Sequence, residues 1–170
     1  MKRFFRTLFR SPVILALTAL VTMVLVVAGV VRLVEADLRQ QSRLVNVSCR
    51  GLAGPGPDAM LVGFVVSEAP QTVVVRGLGP SLAKTGTANA ITELTLRVVR
   101  NADGVDVGRN EHWHEKGNER LWGDLKHLAP AEVNDAACVL TLQPGGYSAL
   151  IDGRNGAKGM ASIEVFVIKE

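Results

Sequence analysis

Cysteine is scarce in this sequence: Cys49 and Cys138 are the whole complement, and they form no Cys-x-x-Cys pair. That excludes a zinc knuckle and a thioredoxin-type redox centre. Histidine is nearly as scarce, with only His112, His114 and His127. The His-Glu-x-x-His helix of the zinc peptidases is missing. A P-loop is missing too, because in "GLGPSLAKTG" (77–86) the residue before Lys84 is Ala83 and not glycine. The dinucleotide fingerprint fails in the same stretch, where Leu82 stands in place of its third glycine. Ser81 lies in Gly-Pro-Ser-Leu, not in a Gly-x-Ser-x-Gly elbow. Nucleotide binding and nucleophilic catalysis therefore have no motif to rest on, and the chain reads as a non-enzyme.

A broad excess of charge is also lacking. The net charge is +3, but Lys2, Arg3, Arg6 and Arg10 sit together at the N-terminus, and without those four the balance is −1. This is no footprint for nucleic acid. What the chain has instead is apolar content, 48% of its residues against 21% charged, which suits a folded domain. Part of it is one run, residues 11–31, "SPVILALTALVTMVLVVAGVV", without a charge. As a helix this run spans roughly 30 Å, the thickness of a bilayer's hydrocarbon core.

The four basic residues before that run predict a cytoplasmic N-terminus and an exported C-terminal part. The organisation expected is a basic tail (1–10), a transmembrane anchor (11–31), a charged linker (32–43) and an exported domain (44–170). The alternative is a signal peptide cleaved after Ala36. Either way the domain is periplasmic or extracellular, where disulfides persist. Cys49 and Cys138 are expected to pair there, closing a loop of about 90 residues.

From position 44 the apolar period becomes two, as strands require. "LVNVSC" (44–49) opens the series, followed by a Gly/Pro loop at 51–58. "MLVGFVV" (60–66) and "TVVVRGL" (72–78) are joined by a short linker, which predicts neighbouring antiparallel strands. "ELTLRVV" (93–99) and "VDVG" (105–108) flank the turn "NADG". "AACVLTL" (136–142), "YSALID" (147–152) and "MASIEVFVI" (160–168) complete the set, with Cys138, Leu140 and Leu142 facing inward. The fold class expected is all-β, a single antiparallel β-sandwich of about eight strands behind one transmembrane helix. Residues 109–134 form the longest stretch without strand character, with a short helical turn expected around "NERLWGDLKHL".

Quoted in order, "RLVNVSCRG", "VGFVVS", "TVVVRGLGPSL", "NADGVDVGRNEHW" and "DAACVLTLQPGGYSALIDGRNGAKGMASIEVF" resemble a bacterial exported β-sandwich module. Its pattern runs G-P-S-L, then N-D-N-W, then L-x-P-G-x-Y-T-A, then E-V-Y. The resemblance covers Arg43 to Phe166, and Gly79-Pro80-Ser81-Leu82 and Pro144-Gly145-Gly146-Tyr147 are its most specific pieces. It implies a non-catalytic building block of secreted and surface proteins, with no catalytic residues to carry over. This chain departs from the pattern at Leu78, where alanine is usual, at His112, where asparagine is usual, and in following a membrane-length segment.

Three candidate sites remain. "NEHWHE" (110–115) places His112 and His114 two residues apart, on one side of an extended segment. Glu115 or His127 would complete a zinc shell, making a zinc-dependent hydrolase. The competing reading has Asn110 and Glu111 organising a turn by side-chain-to-backbone hydrogen bonds while Trp113 packs on the sandwich edge. Asp103 and Asp106, with Asn110 and Glu111, offer the hard oxygens that calcium prefers. Trp113 and Trp122, with Tyr147, offer rings on which sugars would stack. Glu111, Glu115, Asp124 and Asp135 read as ordinary exposed carboxylates. The reading favoured is a non-catalytic, membrane-tethered accessory or structural module without a cofactor, binding a protein or glycan. A carbohydrate- or calcium-binding recognition module is the alternative, and an exposed sheet edge that accepts a partner strand is a further route to binding.

Overall fold

A computed structural model describes residues 12–41, 46–115 and 122–168. The basic residues at 2–10, Leu44 and Val45 of the expected first strand, and the 118–121 part of the expected helical turn lie outside the described residues. The chain divides into two compact units, Met1–Arg43 and Leu44–Glu170.

Among the described residues the first unit contains one helix, α1 (Pro12–Gln41). Its stretch Ala16–Leu33 has a mean hydropathy of 2.3 and no buried residue, so it is long and apolar enough to cross a membrane. A helix apolar on every side suits lipid surroundings, and a signal sequence has the same character. The hydroxyl of Thr22 donates within the helix, to the carbonyls of Thr18 (3.0 Å) and Ala19 (2.9 Å). That is how a hydroxyl is satisfied without water. The charged linker expected after position 31 continues the same helix to Gln41.

The second unit is an antiparallel β-sandwich of eight strands among the described residues. They are β1 (Asn46–Ala53), β2 (Met60–Val66), β3 (Gln71–Leu78), β4 (Leu94–Arg100), β5 (Val105–Asn110), β6 (Ala136–Leu142), β7 (Gly145–Gly153) and β8 (Gly159–Val167). A short helix, α2 (Pro80–Lys84), follows β3. One sheet has the order β1-β8-β3-β6 and the other β2-β7-β4-β5. The core between them takes alternate residues of each strand: Leu94, Leu96 and Val98 from β4, Ala161, Ile163 and Val165 from β8. The inward set expected for β6 holds, with Cys138 and Leu142 buried and Leu140 packed against them.

Two expectations about strand connections need correction. The strands β2 and β3 are not a hairpin, because they belong to different sheets. A linker of four residues reaches roughly 13 Å, enough to bridge sheets packed about 10 Å apart. Length alone therefore does not separate a hairpin from a crossover. Among the described residues only β4 and β5 form a hairpin of sequential neighbours, across the turn containing Gly104 at φ +71°. The loop expected from position 51 is also too early, since β1 runs on to Ala53 in register with Gly159.

The expected disulfide is overturned as well: Cys49 and Cys138 are both free thiols. Cys49 lies on β1 and Cys138 on β6, the two opposite edges of one sheet, with β8 and β3 between them. Three strand spacings amount to roughly 14 Å, whereas a disulfide needs its Cα atoms within about 7 Å. Alternation puts both cysteines on the inward-facing side, but it says nothing about which strands are neighbours. Burial pushes the Cys138 thiol up to about 12, so it is protonated and inert. A maleimide reagent is thus expected to label Cys49 at once and Cys138 only after unfolding. A mobility shift between reduced and non-reduced monomer on a denaturing gel would contradict this arrangement.

Candidate functional site

The stretch "NEHWHE" leaves β5 and turns onto the sandwich. Asn110 is buried, and its carboxamide ties two strands to the turn. Its Oδ1 accepts the Ala137 N–H of β6 at 2.9 Å, and its Nδ2 donates to the His112 carbonyl at 3.1 Å. The Trp113 N–H donates to the Asp135 carbonyl (2.9 Å), and its indole Nε1 donates to the Glu132 carbonyl (2.9 Å). This is a side-chain-organised turn with a packing tryptophan.

The two tryptophans meet edge to face, 5.7 Å between ring centroids. With Leu125 and Leu128 they form a second apolar cluster against Val74, Ala137 and Phe166 on the outer face of the β8-β3-β6 sheet. Residues 122–128, a 3-10 segment after Trp122, thus lay a third layer on that sheet. This explains the run Val73-Val74-Val75: β3 is covered on both faces, so it has no polar alternation. The cover is pinned by Arg76. Its Nε donates to Glu164 at 2.8 Å, its Nη1 to the Leu128 carbonyl at 2.8 Å, and its guanidinium lies 4.7 Å over the Phe166 ring.

Trp122 is only 4% exposed, so neither face of its ring is open to a sugar. Tyr147 is in the core, donating its hydroxyl to the Gln143 carbonyl (2.8 Å) and stacking on Phe64. Trp122 and Tyr147 are thus enclosed by packing, while Trp113 is half-buried beside them.

The metal candidates are dispersed. Among the described residues no three His, Cys, Asp or Glu side chains converge in a way that would hold a metal ion. His112 faces Glu115 (Nδ1 to Oε1, 3.2 Å) on one side and the Arg154 guanidinium (3.5 Å) on the other. His114 packs edge-on against Trp113. His127 is exposed, its Nδ1 2.9 Å from the Asp124 carbonyl. The hairpin oxygens are each engaged by an arginine. Asp103 pairs with Arg100 (2.7 Å) and Asp106 with Arg97 (2.8 Å), and those hydrogen bonds hold both carboxyls below their usual range. Glu111 takes Arg154 at 2.6 Å, with Thr95 and Arg109 on its other oxygen, and is lowered for the same reason.

The polar residue that matters most to the architecture is Asp135, a residue that reads from sequence as an exposed carboxylate. It is wholly buried. Its Oδ1 accepts the backbone N–H of Gly79 (2.9 Å) and of Ser81 (3.3 Å), and its Oδ2 accepts the Ser81 hydroxyl. One residue therefore holds the start of α2 to the entry of β6 through its carboxylate, and Trp113 through its backbone carbonyl. Burial raises its pKa above the ordinary value, and the hydrogen bonds oppose that rise. Ser81 is a donor in this arrangement, with no histidine among its hydrogen-bond partners. The sequence signal was available in principle, since the orphan N–H groups at a helix start need an acceptor. Nothing local said that it would come from 54 residues away.

A cleft of about 160 Å³ lies between the facing edges of β5 and β6, lined by Gly108, Asn110, Cys138 and Trp122 among others. It is small beside the roughly 300–1,000 Å³ of ordinary ligand pockets.

The remaining surface feature is a sheet edge. β2 pairs with β7 on one side only among the described residues. Its residues Met60–Val66 include no charge and no proline. Leu61 and Val65 are 57% and 76% exposed on its outer face. The other three edges are each blunted. β1 carries Arg50. β5 carries Asp106 and Arg109 and a register break opposite Val98/Val99. On β6 the N–H of Ala137 is taken by Asn110. Charges, bulges and capped edges are the usual protection against strand addition, and β2 has none.

No known protein family and no curated protein matches this sequence. Among solved structures, the chain is similar to the pre-peptidase C-terminal domain of a collagenase from Bacillus anthracis. The TM-score is 0.45 and the identity 14%, covering 71% of this chain and 89% of that one. It is also similar to a family GH115 4-O-methyl-α-glucuronidase with specificity for decorated arabinogalactans. There the TM-score is 0.30 and the identity 13%, over 72% of this chain and 14% of that one. Neither likeness bears on what this chain binds.

Proposed function

We propose that this chain is a non-catalytic interaction module of the bacterial exported β-sandwich kind, tethered by α1 with its N-terminus in the cytoplasm and its sandwich outside. The observation that carries the reading is the β2 edge, apolar, uncharged and unprotected. An edge of this kind takes an added strand, whose main chain supplies affinity while Leu61 and Val65 supply an apolar contact. The dispersed histidines and the arginine-paired carboxylates favour binding over chemistry, and the buried Trp122 favours a protein over a sugar. The basic residues ahead of α1 favour the stated orientation.

The test uses the full chain in bacterial cells. A photoreactive benzoyl-phenylalanine at position 65 is expected to give covalent adducts in membranes that survive alkaline carbonate washing, and the same probe at Asp103 is expected to give none. A soluble form beginning at Asp37 would overturn the tether, and a silent position 65 would overturn the edge.

A further inference from the structure

Resting on that reading, we infer that the partner at the β2 edge is a second copy of this chain, its β2 running antiparallel to the first about a two-fold axis at Gly63. The strand is self-complementary around that residue. Read outward from Gly63, the neighbours at ±1 are Val62 and Phe64, those at ±2 are Leu61 and Val65, and those at ±3 are Met60 and Val66. The exposure pattern repeats the symmetry. Leu61, Gly63 and Val65 are exposed, while Met60, Val62 and Val66 are buried.

Antiparallel pairing about Gly63 puts each exposed Leu61 opposite an exposed Val65 of the second copy, at the roughly 5 Å separation of directly facing residues. Every ±1 and ±3 position then meets another inward-facing apolar residue. A one-residue slip would set exposed residues against buried ones, and a two-residue slip would set Leu61 or Val65 against Gly63 and lose both Leu61–Val65 contacts. No like charges oppose, because the strand has none.

A two-fold contact of this kind is isologous and closes at two copies. Closure matters for an edge without protection, since it leaves no free β2 to recruit a third chain. The glycine suits the axis. A Cβ built on Gly63 meets nothing nearer than the Tyr147 carbonyl at 4.0 Å, so a side chain at the axis has room on the outer face. Two chains held in one membrane meet at an effective concentration well above that of free domains, which favours a contact of modest area.

The experiment is cysteine cross-linking of the full chain in native membranes, with Cys49→Ser as background. Gly63→Cys is expected to give, with a short bis-maleimide, a product of twice the 18.2 kDa chain mass in the majority of molecules. Leu61→Cys and Val65→Cys alone place their thiols roughly 13 Å from their own counterparts and are expected to give about tenfold less. Co-expressing those two variants should restore the yield, because they face each other. Adding Val65→Lys to Gly63→Cys should abolish the product, by bringing charge to the edge. Equal yields at 61, 63 and 65, or a product that survives Val65→Lys, would overturn the inference. Gly63→Cys without a dimer, beside photo-adducts from position 65 to other proteins, would overturn it while leaving the module reading standing. Silence at both positions would remove the two together.

Discussion

Asp135→Ala is expected to cost the sandwich on the order of 3–5 kcal/mol, read as a fall in the urea midpoint of the full chain in detergent. Three donors lose their acceptor at once: the Gly79 N–H, the Ser81 N–H and the Ser81 hydroxyl. A buried donor left unsatisfied costs about 1–3 kcal/mol. Ser81 is half-buried and recovers part of its loss from water, and the mutation also removes the desolvation cost of the carboxylate itself. The remainder is still large beside the roughly 5–15 kcal/mol that holds a domain together. Trp113 and Trp122 should report it early, because the Asp135 carbonyl anchors the Trp113 N–H. A loss below about 1 kcal/mol would contradict the assigned role.

The same residue makes a pH prediction with a definite sign. Its pKa is raised from 3.8 in the folded state, chiefly by burial. Protonation is thus favoured by folding. The stabilisation is fully present below 3.8 and is lost as pH rises through the folded value. Asp135→Asn keeps an acceptor for the two backbone donors and does not titrate. The stability of the natural chain relative to this variant should therefore be greatest in acid and decline toward neutral pH. Asp103, Asp106 and Glu111, all lowered by arginines, act in the opposite direction in both proteins and cancel in the comparison.

Gly79→Ala is expected to be comparably severe, for a different reason. Gly79 has a negative φ of −138°, so a left-handed backbone is not what calls for glycine there. The constraint is space: a Cβ would sit 2.2 Å from the Ile91 carbonyl oxygen, 2.7 Å from the Ile91 Cγ2 and 3.0 Å from the Leu94 Cδ2. The clash with Ile91 is with backbone, which cannot rotate away, and Ile91 is itself wholly buried. Moving β3 from that contact would also pull the Gly79 N–H off Asp135. Overpacking in a tight core costs about 1–3 kcal/mol and more when backbone must shift, so a loss of roughly 3 kcal/mol or above is expected. Gly63→Ala, with nothing nearer than 4.0 Å, is the control and should shift the midpoint by less than about 1 kcal/mol. Equal midpoints for the two alanine variants would show that the β3–α2 junction is looser than its geometry.

These two residues account for Gly79-Pro80-Ser81-Leu82 in terms of packing and hydrogen bonding. Glycine clears Ile91, proline fits the first turn of α2, and serine reaches Asp135. Leu82 is buried beneath. Each residue type answers a packing or hydrogen-bonding demand that arises only when the distant partner is in place.

The sequence by itself determined the membrane-length helix, the all-β class and the inward face of β6. These depend on periods of two or of 3.6 and on unbroken apolar runs, all local quantities. It also contained the turn reading of "NEHWHE", because Asn110 acts on groups within two residues as well as on β6. Only the tertiary structure decided which strands are neighbours, and with that the separation of Cys49 from Cys138 and the crossing between β2 and β3. Strand order is a long-range property, and alternation is the same whichever strand lies beside it. Burial of Asp135 at the start of α2, and of Trp122 against Val74 and Phe166, was decided in the same way, by partners far along the chain. The bareness of β2 is written in "MLVGFVV" for anyone to read. That this strand is an edge is not, since an uncharged run suits a central strand equally well until the order of the sheet is known.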